Sequence, residues 1–180
     1  MPARNCSHPL LVLLLTVLLP LATAQAASPT EMLAQLEKAV VDEDEKAAQD
    51  LWKQLTPDFD RLSPADQGRY LVVQGLIQED VLRDIKSADE SFNRVISLLD
   101  ASPEPTQALA DAYYERAYIK YIRTNDTAAY CPDREKAVEL TRKLNTRSKL
   151  PKYLTALSFC YSDTPARFQQ VQSDVACSWS

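Results

Sequence analysis

The chain has 180 residues, a net charge of −5, one histidine and two glycines. The acidic balance argues against non-specific nucleic-acid binding. His8 falls in the expected leader and the glycines are Gly68 and Gly75, which excludes Ser-His-Asp and Cys-His catalysis, imidazole zinc sites, CxxCH haem attachment and the GxGxxG and GxxxxGK[ST] phosphate loops.

The first 26 residues read as a secretory signal peptide. "MPARNCSHP" carries only Arg4 as a charge, and Leu10 to Leu21 is an apolar run too short to span a bilayer. Pro20 ends it, and "ATAQA" offers cleavage after Ala24 or Ala26. The mature chain, 27–180, has no second run of spanning length, so no membrane span is expected in it. One domain of this size can bury a core of its own.

Beyond the leader, abundant Ala, Leu, Glu, Lys, Gln and Arg, few glycines and no Asn-Gly or Asp-Gly turn predict helix throughout. Prolines punctuate it. Ser28-Pro29-Thr30-Glu31 combines a cap, a first-turn proline and a capping-box acid. Ser63-Pro64, Ser102-Pro103 and Thr164-Pro165 are similar starts, and Pro57, Pro132 and Pro151 mark further boundaries. Eight helices in four pairs follow: 29–41 with 44–56, 64–80 with 85–100, 104–124 with 132–146, and 150–161 with 165–177. Apolar faces such as Leu33, Leu36 and Val40, or Phe92, Val95 and Leu99, support them. Short connections make the partners antiparallel. The fold class is all-α, stacked helical hairpins.

"SADESFNRVISLLDASPE", with Ala88 four before Phe92, resembles the second helix of a tetratricopeptide repeat, as does "REKAVELTRKLNTRSKLP" with Ala137. "LADAYYERAYIKYIRTN" resembles a first helix, with Ala117 at the small position, and "DEKAAQDLW" around Ala47 is a fainter echo. The likeness covers about residues 30–177 and is uneven in spacing. It implies an α-solenoid of about four hairpins, with the insertion "DTAAYCPD" in the third. The layout is also similar to exported repeat regions ahead of GGDEF-type signalling enzymes, which implies a sensory part without the catalytic one.

Cys131, Cys160 and Cys177 follow the leader, and an exported chain meets conditions where disulfides persist. In a stack of hairpins Cys131, in the third turn, and Cys160, at the end of the next first helix, share one end. A Cys131–Cys160 disulfide is expected there. Cys177, farther along the last helix, is the leftover thiol, alone or paired between chains.

Two stripes mark the helix at 104–124. Tyr114, Tyr118 and Tyr121 are spaced to pack as core or to stack a ligand. Arg116, Lys120 and Arg123 form a second stripe. If first helices line a concave groove, this cationic stripe joins Tyr113, Gln74 and Gln78 and, from the fourth pair, Thr155 and Ser158, a polar groove suited to carboxylate or phosphate. The match around Ala117 instead turns the tyrosines to the groove. The acids of "VDEDEKAAQD" lack EF-hand spacing, so no metal is expected, and no cofactor. No spacing singles out a catalytic carboxylate pair.

The expected function is a non-catalytic periplasmic scaffold holding a protein or peptide partner in the groove. The alternative is the sensory input region of a truncated signalling protein, binding a small anion. A C-terminal "VQSDVACSWS" with no capping helix predicts a homodimer, another docking partner or a truncated chain.

Overall fold

The computed structural model describes residues 27–144 and 148–178. The expected leader and Trp179 lie outside them. Eight α-helices follow in order: α1 Pro29–Val41, α2 Glu45–Leu55, α3 Pro64–Leu76, α4 Ile85–Leu99, α5 Gln107–Thr124, α6 Thr127–Lys143, α7 Leu150–Ser158 and α8 Pro165–Ser178. Each packs most heavily on its hairpin partner, α1 on α2 through α7 on α8. Successive hairpins join through α1 on α3, α3 and α4 on α5, and α6 on α7. The all-α class read from composition and punctuation is the class found.

Local chemistry explains the boundaries. Ser28 and Glu31 close a capping box on α1. Asp44, Ser63, Asp84, Thr106 and Asp126 each accept a backbone N–H of the following first turn, satisfying donors a helix start leaves open. Asn125, with φ of 51°, ends α5 in the left-handed conformation asparagine tolerates. The α5–α6 turn is therefore only two residues long.

Small residues set the closest approaches. A Cβ on Gly68 would fall 2.5 Å from Leu99 Cδ1, and one on Gly75 2.5 Å from Phe92 Cε1. Both glycines let α3 lie against α4. Ala88, Ala117 and Ala137 are fully buried, and Ala47 is only partly so. The core runs through every hairpin, from Leu33 and Leu36 through Phe92, Val95 and Ile119 to Tyr153, Leu154 and Val171.

Three expectations need correction. Ser102-Pro103 starts no helix; Thr106 caps α5 instead. Pro132 does not open the sixth helix but lies inside α6, which begins at Thr127. A proline there forfeits one backbone hydrogen bond. The Asp126 cap, buried Tyr130 and the cross-link at Cys131 hold the turn around it. "DTAAYCPD" is thus the start of α6 rather than an added loop. Lastly, α3 runs into a π-helical turn, Ile77–Val81, whose extra residue per turn shifts the faces beyond it.

Among the described residues no helix is long and apolar enough to cross a membrane. The outer side of α8 is polar, with Arg167, Gln169, Gln170 and Gln172 exposed and no exposed large apolar side chain among its described residues.

Candidate functional site

The disulfide joins Cys131 to Cys160 with Cα atoms 5.7 Å apart. Cys131 sits in the second turn of α6, and Cys160 in the 3₁₀ turn Phe159–Tyr161 that extends α7. It therefore ties the start of α6 to the end of α7. Such a bond fits an oxidising compartment. Cys177 lies exposed on α8, outside that bridge.

The cationic stripe of α5 is turned toward α4 and α6. Arg116 donates from Nε and Nη2 to the two oxygens of Asp133, each at 2.7 Å, and from Nη1 to Asn93 Oδ1 at 2.9 Å. Lys120 Nζ donates to Asp133 at 2.8 Å, and Arg123 to Asp89 at 3.3 Å. Tyr113 is buried beneath Arg116 and donates to Asp100. Burial first, then Asp100, pushes its hydroxyl up to about 12. Gln78 is carried inward by the π turn, where its Oε1 accepts from Ser91. Gln74 is half-buried. Ser158 is buried and donates to the Thr155 carbonyl. Tyr113, Arg116, Lys120, Arg123 and Gln78 thus pair across seams between helices, while Ser158 bonds within its own helix. Of the eight groove residues, only Thr155 lines the site described next.

The tyrosine stripe lines it. Tyr114, Tyr118 and Tyr121 of α5 face Tyr130 and Arg134 of α6 and Lys152, Thr155, Ala156 and Phe159 of the α7 segment, across a groove of about 750 Å³. Tyr118, Tyr121 and Phe159 are exposed, Phe159 at 62%. Tyr114 is backed by Tyr153, stacked at 4.5 Å, and within the lining Tyr121 meets Tyr130 edge-on at 5.4 Å. Tyr130 and Phe159 each neighbour a bridged cysteine, so the disulfide ties together the α6 and α7 segments that carry them.

Two cations stand in this groove, and none of its lining residues is acidic. Arg134 is only 8% exposed. Its Nη1 donates to the Ala156 carbonyl at 2.8 Å, and its guanidinium lies 4.4 Å over Tyr130 and 5.7 Å from Tyr121. Burial pulls its pKa below the ordinary range, while the neighbouring tyrosines work the other way. Lys152 Nζ lies 4.5 Å over Tyr114 and 3.6 Å from Glu115. Glu115 is pushed up to about 7, chiefly by burial and against the pull of Lys152.

A second cleft, of about 350 Å³, runs between α1, α3 and the start of α5. Its charges are matched. Arg69 forks onto Glu37 at 2.8 and 2.5 Å, and Asp111 accepts from Lys149 at 2.6 Å and from Tyr153. Among the described residues no cluster of side chains suits a metal ion.

Sequence reasoning missed Arg134, Lys152, Tyr130 and Phe159. The signal that could have found the two aromatics is their place beside the paired cysteines. No family model, curated protein or solved structure matches the chain.

Proposed function

We propose that this chain is a non-catalytic binding module of the periplasm, a tetratricopeptide-like stack of hairpins that holds a segment of a partner protein. The binding surface in this reading is the tyrosine groove rather than the cationic stripe of α5. The observation that carries it is the set of exposed aromatic side chains on walls fixed by a disulfide. Exposed rings on a rigid frame offer contact area with little ordering cost, which is how peptide grooves gain affinity. The groove volume also falls in the range of sites that take a drug-sized ligand or short peptide.

A second reading, sensing of a small anion, draws on Arg134, a buried cation facing that groove. The two readings differ in the size of the occupant.

Selection of a random peptide library on the oxidised protein tests the first. Enriched peptides should lose at least about ten-fold in affinity on Y118A/F159A, two exposed positions whose truncation spares the core. Peptides that bind the double variant as tightly as the parent would defeat the reading.

A further inference from the structure

We propose that the segment held in the groove is acidic, with a carboxylate seated on Arg134 and aromatic or apolar neighbours against Tyr118 and Phe159. This rests on the peptide-groove reading above. Arg134 is the buried cationic side chain among the described residues, and it forms none of their ion pairs. A guanidinium has five N–H donors. One is spent on Ala156. The adjacent carboxylate cannot serve, because Asp133 is committed to Arg116 and Lys120 of α5. Taking a cation out of water without a counter-ion is costly, and faces of tyrosine rings offset only part of it.

Charge complementarity then selects the occupant. The protein as a whole is acidic, yet this groove presents Arg134 and Lys152 with no acid among its lining residues. A carboxylate fits the planar fork of arginine through two parallel hydrogen bonds. A small anion would fill only a fraction of about 750 Å³ and leave the exposed rings of Tyr118 and Phe159 in water. A peptide segment that alternates acid with aromatic side chains uses both features. Lys152, on the α7 wall, would meet a second acid of the same segment.

The test uses the oxidised, ¹⁵N-labelled protein and three probes: acetyl-Phe-Asp-Phe-Asp-Phe-amide, its counterpart with Asn for Asp, and citrate. The acidic peptide should shift amide signals of groove residues and bind at least about ten-fold tighter than the Asn peptide. In R134M that advantage should shrink to about two-fold or less, with neutral-peptide binding retained. In K152M, at an exposed position, the advantage should fall by roughly three-fold. Equal affinity for the two peptides in the groove overturns the acidic assignment and leaves the binding-module reading standing. No groove shift with either peptide overturns both. If citrate reproduces the shifts and displaces the acidic peptide at equal concentration, a small polyacid is the occupant and the peptide assignment falls. An advantage for the acidic peptide that survives in R134M overturns the role of Arg134.

Discussion

Asp133 and Arg134 are neighbours in sequence, both buried, and they meet opposite circumstances. Asp133 looks toward α5 and accepts from Arg116 twice and Lys120 once. Arg134 finds one carbonyl of α7 and the ring faces of Tyr130 on its own helix and Tyr121 on α5. One side of α6 is therefore a closed seam in which the charges answer one another. The other is an open groove in which a charge is left over. A buried charge fully paired inside the chain contributes to architecture. One that lacks its counter-ion marks a place where architecture alone is not sufficient explanation.

The contrast breaks most visibly at Asp133. Asp133→Ala leaves Arg116 and Lys120 facing each other with no shared carboxylate. The expected loss is about 3–5 kcal/mol of unfolding free energy, read from urea midpoints, because a withdrawn partner leaves charge uncompensated. A loss under about 1 kcal/mol would mean the seam is hydrated and not a structural joint.

The disulfide comes next. Its sequence separation of 29 corresponds to about 3.6 kcal/mol in the loop-entropy model. C131S/C160S should lose roughly that amount, and reductant should act on the parent but not on the variant. Peptide binding should weaken along with stability, since the bridge ties together the segments carrying Tyr130 and Phe159. Unchanged binding in the variant would show that hairpin packing alone sets the groove.

A carboxylate version of the same contrast lies at the end of α3. Glu79 is buried and its Oε2 has no hydrogen-bond partner. Burial, with Glu115 and Asp80 adding to it, pushes its pKa from 4.5 up to about 7; Glu115 moves to about 7 as well. A raised acid binds its proton more tightly in the native state than in the unfolded chain. Stability therefore falls as pH rises from about 4.5 through about 7, and the loss is complete above that. The expected difference between pH 5 and pH 8 is roughly 1–3 kcal/mol, a few degrees in Tm. E79Q should flatten part of that slope. A protein more stable at pH 8 than at pH 5 would contradict it.

These seams and grooves were unequally legible in the sequence. Caps such as Ser28 and Ser63 announce themselves because serine before proline satisfies helix donors locally. The disulfide was legible because stacking brings the start of the sixth helix near the end of the seventh, although Cys131 lies inside α6 and not in the hairpin turn. Pro132 misled because a local penalty was offset by burial of Tyr130 and a cross-link, both tertiary. The face presented by α5 was undetermined, since its tyrosine and cationic stripes share one spacing and each is compatible with either side. What settles it is where Asp89 and Asp133 arrive from α4 and α6. Arg134 had no signal at all: it lies in "CPDREKAVEL", where a run of alternating charges reads as a solvated face.

The smallest expected effect is also the one that sharpens the comparison most. Arg134→Met removes a buried cation that has no carboxylate partner and replaces it with an apolar chain of similar length. Lost are the bond to Ala156 and the ring contacts. Gained is relief from holding an unpaired charge out of water. Replacement of buried ionic groups by apolar ones is often neutral or stabilising, so the change in unfolding free energy should be within about 1 kcal/mol of zero. Set beside Asp133→Ala, that would place two adjacent buried charges some 3 kcal/mol apart in their contribution to the fold. A loss in Arg134→Met as large as that at Asp133 would instead make Arg134 a second structural joint, with its ring and carbonyl contacts sufficient to justify the buried charge.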